Sequence, residues 1–227
     1  MSFASRMKAF NRSLQLDVPL PPGIKVLNPF QEEATLKVAD AFYDRFYADN
    51  RPRQLILGIN PGRHGGGLTG VPFTDFKRLR EVCGIPVPEN KSSHEPSSTF
   101  VYQVIAALGG PEAAYHNIYI NSVCPLGFVR LNDSGRWINY NYYDEKTLQA
   151  LVTPFVVQTL QQQIALGCHT DKVIVMGKQN TLLVKQINET YGFFDRIITV
   201  PHPRFVAQYK SRYTDQYIAE YLEAISS

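Results

Sequence analysis

Gln54-Leu55-Ile56-Leu57-Gly58-Ile59, followed at once by Asn60-Pro61-Gly62-Arg63-His64-Gly65-Gly66-Gly67, is the stretch from which the rest of the chain is best read. Leu55, Ile56 and Leu57 run without alternation, which suits a strand covered on both faces. The glycines behind it let the backbone turn sharply and approach a ligand closely, with amide donors left free. A P-loop is excluded, because no Gly-Lys-Ser/Thr ending follows. Taken alone, the segment is also compatible with a plain strand-to-helix connection.

Three more short apolar runs share this design: Asn117–Ile120, Lys172–Met176 and Arg196–Val200, each ending in a polar or Gly/Pro cluster. Helical spacing fills the intervals, over Glu32 to about Ala48, Ser98–Leu108, Glu145–Leu166 and Asn180–Tyr191. Phe3, Met7, Phe10 and Leu14 predict an opening helix, and Thr214–Ile225 a closing one. Pro154 is expected to kink or restart its helix, with Thr153 as a cap. Lys91–Ser98 (KSSHEPSS) reads as an exposed loop. Alternating strands and helices predict an α/β fold: a three-layer α/β/α sandwich around a mostly parallel four-stranded sheet, one domain over residues 1–227.

Composition agrees with that fold and narrows the function. The 227 residues are 44% hydrophobic and 19% charged, enough for a sizeable core. The net charge is only +3, but it is unevenly spread. Arg51, Arg53, Arg63, Lys77, Arg78 and Arg80 face one acid, Asp75, and Arg204, Lys210 and Arg212 face none between Val200 and Tyr213. Such patches permit nucleic-acid contact without proving it. Cys83, Cys124 and Cys168 form no CxxC pair, which argues against a zinc ribbon, an iron–sulfur cluster or a disulfide scaffold. With no signal-like leader and no apolar run of spanning length, the expectation is a reduced, intracellular, soluble protein.

In open α/β sheets ligands bind beyond the carboxyl ends of the strands. Asn60-Pro61-Gly62, Asn121 to Leu126, Gly177-Lys178-Gln179 and His202-Pro203-Arg204 stand there. Three of these segments form a pattern. Gly58-Ile59-Asn60-Pro61-Gly62 with Thr69-Gly70-Val71-Pro72-Phe73 resembles the first motif of the single-strand-selective monofunctional uracil-DNA glycosylases. Asn121-Ser122-Val123-Cys124-Pro125-Leu126 resembles the second motif of that family, and His202-Pro203 the third. The resemblance spans roughly Gln54 to Arg212.

The resemblance implies a monofunctional glycosylase of base-excision repair that flips uracil from DNA and hydrolyses its N-glycosidic bond, without cofactor or metal. Xanthine or 5-hydroxymethyluracil would be further bases. It makes Asn121 the reader of the base edge and Phe73 the stacking face. Asn60 would hold the water, and His202 would donate to the leaving base. Gly58, Ile59 and Gly62 would line the base site. Arg63, Lys178, Arg204, Phe205 and Lys210 are candidate DNA contacts, with Arg204 or Phe205 filling the gap left by the flipped base. The expected partner is single- or double-stranded DNA holding a damaged base, with no membrane and no obligate protein partner. Two other readings stay open, a glycosylase-like binding module without catalysis and a nucleotide hydrolase or transferase. Each residue also has a structural reading: Asn60 and Asn121 as turn caps, Phe73 as core, His202 as an ordinary strand-end residue. His64 and Asp75 receive no role, and Lys178 is the one lysine that would allow Schiff-base chemistry.

Overall fold

The computed structural model describes residues 1–227. The chain runs α1 (Phe3–Ser13), β1 (Ile24–Leu27), α2 (Glu33–Phe46), β2 (Gln54–Gly58), α3 (Gly66–Thr69), α4 (Phe76–Glu81), α5 (Pro96–Ala107) and α6 (Pro111–Asn117). It continues through β3 (Ile118–Ser122), β4 (Gly127–Leu131), β5 (Trp137–Tyr140), α7 (Lys146–Ala165), β6 (Lys172–Met176), α8 (Lys178–Tyr191), β7 (Arg196–Val200), α9 (Pro203–Tyr209) and α10 (Thr214–Ser226).

The central sheet has the order β3-β2-β6-β7, and every pairing in it is parallel. Each residue of β2, β3 and β6 is buried, as their unbroken apolar runs require of strands with helices on both faces. Alternation along the strands then decides which side chain meets which layer. Tyr119 turns towards α1 and α2, edge-on to Phe3 and Tyr47. Ile56, Ile118, Ile120 and Met176 turn the other way, towards Val101, Val104 and Ile105 of α5 and Tyr221 and Ile225 of α10. The expected α/β/α sandwich is therefore the fold.

One feature was not foreseen and two expectations are corrected. A second, antiparallel sheet of order β1-β4-β5 lies beside the first. Its strands mix buried, half-buried and exposed positions, and none has an apolar run longer than two residues to mark it in the sequence. Helix α7 passes through Pro154 without a restart, and Thr153 caps nothing: its hydroxyl donates to the Gln149 carbonyl inside the helix, at 2.7 Å. Lys91–Ser98 is only partly an exposed loop, since Ser97 and Ser98 are buried in the first turn of α5.

The basic stretch from Arg51 to Arg80 is also less available than its composition implies. Arg53 is wholly buried, its guanidinium 4.8 Å from the ring centres of both Phe3 and Tyr47. It donates to the Tyr115 carbonyl at 3.0 Å and meets Asp49 at 2.8 Å. Arg78 is held by the buried Asp75 carboxylate at 3.0 Å. Both cations serve the fold.

Candidate active site

The carboxyl ends of β2, β3 and β7 open into one pocket of about 140 Å³. Ile59, Asn60, Pro61 and Gly62 reach it from the turn after β2, Ser122 from the end of β3, and His202 and Arg204 from the turn after β7. Phe73, Glu95, Ser97, Asn139, Tyr140 and Asn141 complete most of the wall.

His202 is the N-cap of α9, and its Nδ1 accepts the Arg204 backbone N–H at 3.1 Å. An accepting Nδ1 is unprotonated, so the neutral ring carries its proton on Nε2. Burial, and secondarily the Arg204 charge, pull the His202 pKa down to about 4. The imidazole is therefore neutral at physiological pH and presents a single fixed N–H donor.

Asn60 is held from a direction its local sequence does not foretell. Its Nδ2 donates to the Tyr140 carbonyl at 3.2 Å, and its Oδ1 accepts the Tyr142 N–H at 3.1 Å. The unforeseen strand β5 and the turn after it thus lock the amide in place. One N–H and one lone pair remain for a further partner. Phe73 lies 6.0 Å, centre to centre, from the His202 ring. Its φ of 52° is the one positive value outside glycine, a strained backbone at a ring that faces the pocket. A Cβ on Gly58 would come within 2.5 Å of two Phe73 ring carbons, so glycine is needed there for the ring to lie over the strand end.

Asn121 is not in the pocket. Its Nδ2 donates to the Tyr119 hydroxyl and its Oδ1 accepts the Ser122 N–H at 2.8 Å. It borders a small adjoining void with Asn11, Leu14, Phe30 and Tyr43, divided from the pocket by Pro61, Gly66 and Pro72, which line both. The cause is strand alternation: Tyr119 and Asn121 share the α1–α2 face, whereas Ser122 shares the opposite face with Ile118 and Ile120. The residue of the second motif that lines the pocket is Ser122.

The remaining candidates divide. Ile59, Gly62 and Arg204 line the pocket, and Gly58 supports it from beneath Phe73. Arg63 and Lys178 are exposed and outside the pocket wall, although the Arg63 N–H donates to Asn139 Oδ1 at 2.9 Å. Phe205 is 41% exposed and Tyr209 73%, with ring centres 6.1 Å apart, so Phe205 does not pack under its loop. Lys210 sits 5.9 Å from the Tyr213 ring on the same short segment. His64 is exposed, and Asp75 is buried with both oxygens engaged, accepting from Arg78 and from the Glu95 N–H at 2.8 Å.

Glu95, Asn139 and Tyr140 are pocket residues that the sequence reading missed. Glu95 looked like part of a polar loop, and β5 was not recognised as a strand. Burial, then repulsion from Asp75, pushes the Glu95 carboxyl up to about 7, with Arg204 opposing in part.

The strand ends of the parallel sheet thus gather a neutral imidazole donor, a locked amide and an aromatic face around one pocket. Residues 45–226 match the uracil DNA glycosylase superfamily, and the chain belongs to it. It is a DNA glycosylase, an N-glycosyl hydrolase with a uracil-excising role in DNA repair. Within the superfamily it is SMUG-like. The crystal structure of wild-type Pedobacter heparinus SMUG2 is 46% identical, with a TM-score of 0.96 over 100% of this chain and 97% of that one. No helix is long and apolar enough to cross a membrane.

Proposed function

We propose that this chain takes uracil, and with it other deaminated or oxidised bases such as xanthine and 5-hydroxymethyluracil, out of the DNA stack into the 140 Å³ pocket. There it hydrolyses the N-glycosidic bond without forming a covalent intermediate. The observation that carries this reading is the His202 ring, neutral, with Nδ1 occupied and Nε2–H left as a donor.

A base within a duplex is out of reach, so extrusion precedes chemistry. Phe73 stacks on the extruded base and Nε2–H of His202 meets its O2. Breaking the bond leaves an anionic base and a cation-like sugar. A donor aimed at O2 therefore binds the transition state more strongly than the substrate. Asn60 positions the attacking water with its free N–H and lone pair. No lysine lines the pocket, which favours water over an amine as nucleophile. Phe205, exposed beside the pocket on α9, is suited to fill the space vacated in the stack.

The base edge is read by the Ser122 hydroxyl, which can donate and accept. Asn121 instead ties β3 to Tyr119. Ser122→Ala should therefore change the ratio of rates on uracil and xanthine, by about tenfold for one lost hydrogen bond with an unpaired partner. Asn121→Ala should lower the melting temperature while leaving that ratio unchanged. The reverse pattern would return the reading role to Asn121.

The whole reading is tested with labelled oligonucleotides carrying one uracil, hypoxanthine, xanthine or 5-hydroxymethyluracil, incubated with chelator present. Breaks that appear only after alkali are the expected result. Intact strands on all four would leave a DNA-binding module, and breaks without alkali would demand lyase chemistry.

A further inference from the structure

Among the residues lining the pocket, Glu95 is the one carboxylic acid. Its Oε2 is buried without a hydrogen-bond partner. Two glycines make room for it: a Cβ on Gly65 would lie 2.0 Å from Oε2, and one on Gly62 would lie 3.0 Å from Oε1. Asp75 holds its backbone through the Glu95 N–H, and Pro96 begins α5 directly after it, so the side chain is aimed from a fixed point. A buried oxygen with no partner is costly in a folded protein, and such groups concentrate where function requires them.

We propose that Glu95 is the general base of the excision reaction, taking a proton from the water that attacks C1′ of the sugar. The inference rests on the excision reading given above. As the water oxygen bonds to C1′, the C1′–N bond breaks and its electron pair leaves with the base. His202 Nε2–H bonds the resulting anion at O2, and one water proton passes to the Glu95 carboxylate. The base later takes a proton from solvent, and Glu95 returns its own to solvent.

No other group in the pocket can accept that proton near neutral pH. Asn60 is an amide and has no basicity to offer. His202 has Nδ1 engaged, and burial holds its pKa at about 4. The charged and titratable neighbours of Glu95 are Asp75 at the start of α4, Arg78 and His94 grouped around Asp75, Arg204 and His202 from α9, and Tyr140 from β5. Burial and Asp75 raise the Glu95 carboxyl to about 7, a proton affinity matched to neutral-pH base catalysis. A pair of titratable groups driven apart by their surroundings divides the roles of base and donor between Glu95 and His202.

The test is single-turnover release of uracil from an oligonucleotide between pH 5 and 9, by wild type, Glu95→Gln and Glu95→Ala. The wild-type rate should climb with pH to a plateau above about 7. Glu95→Gln should be about a hundredfold slower or more, with that limb gone, which is the usual scale of base catalysis. Added formate should restore part of the rate of Glu95→Ala. Thermal melting gives a readout free of activity. A raised carboxyl pKa favours the folded state while protonated, so wild type should lose stability as pH rises from about 4.5 to about 7. Glu95→Gln should lack that loss. An active wild type with a Gln variant equally fast at every pH overturns the base role alone. A slow Gln variant that keeps the limb, with no formate rescue of Glu95→Ala, overturns it too and leaves Glu95 positioning the loop. A wild type that releases no uracil at any pH overturns the excision reading, and this inference with it.

Discussion

His202→Ala should slow single-turnover base release by about a hundredfold to a thousandfold, the usual cost of deleting one donor aimed at a developing oxyanion. Affinity for uracil-containing DNA should move little, because O2 carries its charge only as the bond breaks. The wild-type side chain owes this selectivity to its setting: Nδ1 is spent on the Arg204 N–H, and burial holds the ring neutral with a pKa of about 4. Its contribution should be constant from about pH 5.5 upwards, so any limb near pH 7 belongs to another group. A depressed imidazole pKa also has a stability consequence. The unfolded chain binds the proton more readily, so stability tied to His202 is present above about pH 6.5 and is lost as pH falls through about 4. Kinetics paired with fluorescence-anisotropy titration of the same DNA separates rate from binding. A variant that matches wild-type rate would remove His202 from the chemistry, while a variant that only binds less tightly would make it a binding contact.

Asn60→Ala should reduce the rate by a factor of about a hundred, and it should also cost stability. The rate loss follows from the role proposed for Asn60, orienting the attacking water. The stability loss follows from the Tyr140 carbonyl and Tyr142 N–H, which surrender their partner in a partly buried place. Such orphaned groups cost about 1–3 kcal/mol. Urea melts of the variant measure the second effect and single-turnover kinetics the first. Asn60→Asp is the informative companion. It keeps the acceptor for Tyr142 but places a negative charge against the Tyr140 carbonyl, so it should be less stable than wild type. If Asn60→Ala were destabilised and still cleaved at the wild-type rate, Asn60 would be a latch between the two sheets and nothing more.

Much of this molecule was written in one dimension. The runs at Leu55, Val173 and Ile197, the helices between them, and the order of the three motifs follow from local periodicity and from residue types confined to strand ends. Asn60, His202 and Arg204 were legible for that reason, Phe73 only through the motif resemblance, and all four share the pocket. Three other matters depended on contacts between residues far apart in the chain. Whether Asn121 or Ser122 faces the pocket was set by the pleat of β3 against two different helical layers, and the sequence of the motif is silent on that phase. Glu95 resembled any acid in a polar loop until Asp75, twenty residues earlier, held its backbone and two glycines opened the space for its side chain. The hold on Asn60 came from β5, about eighty residues later, in a strand too short and too mixed to announce itself. Proton affinities belong with these, since burial and neighbouring charge fix them and neither exists before the chain has folded. Residue type and spacing determined where the chemistry could be, and packing decided which atoms face it and in what protonation state.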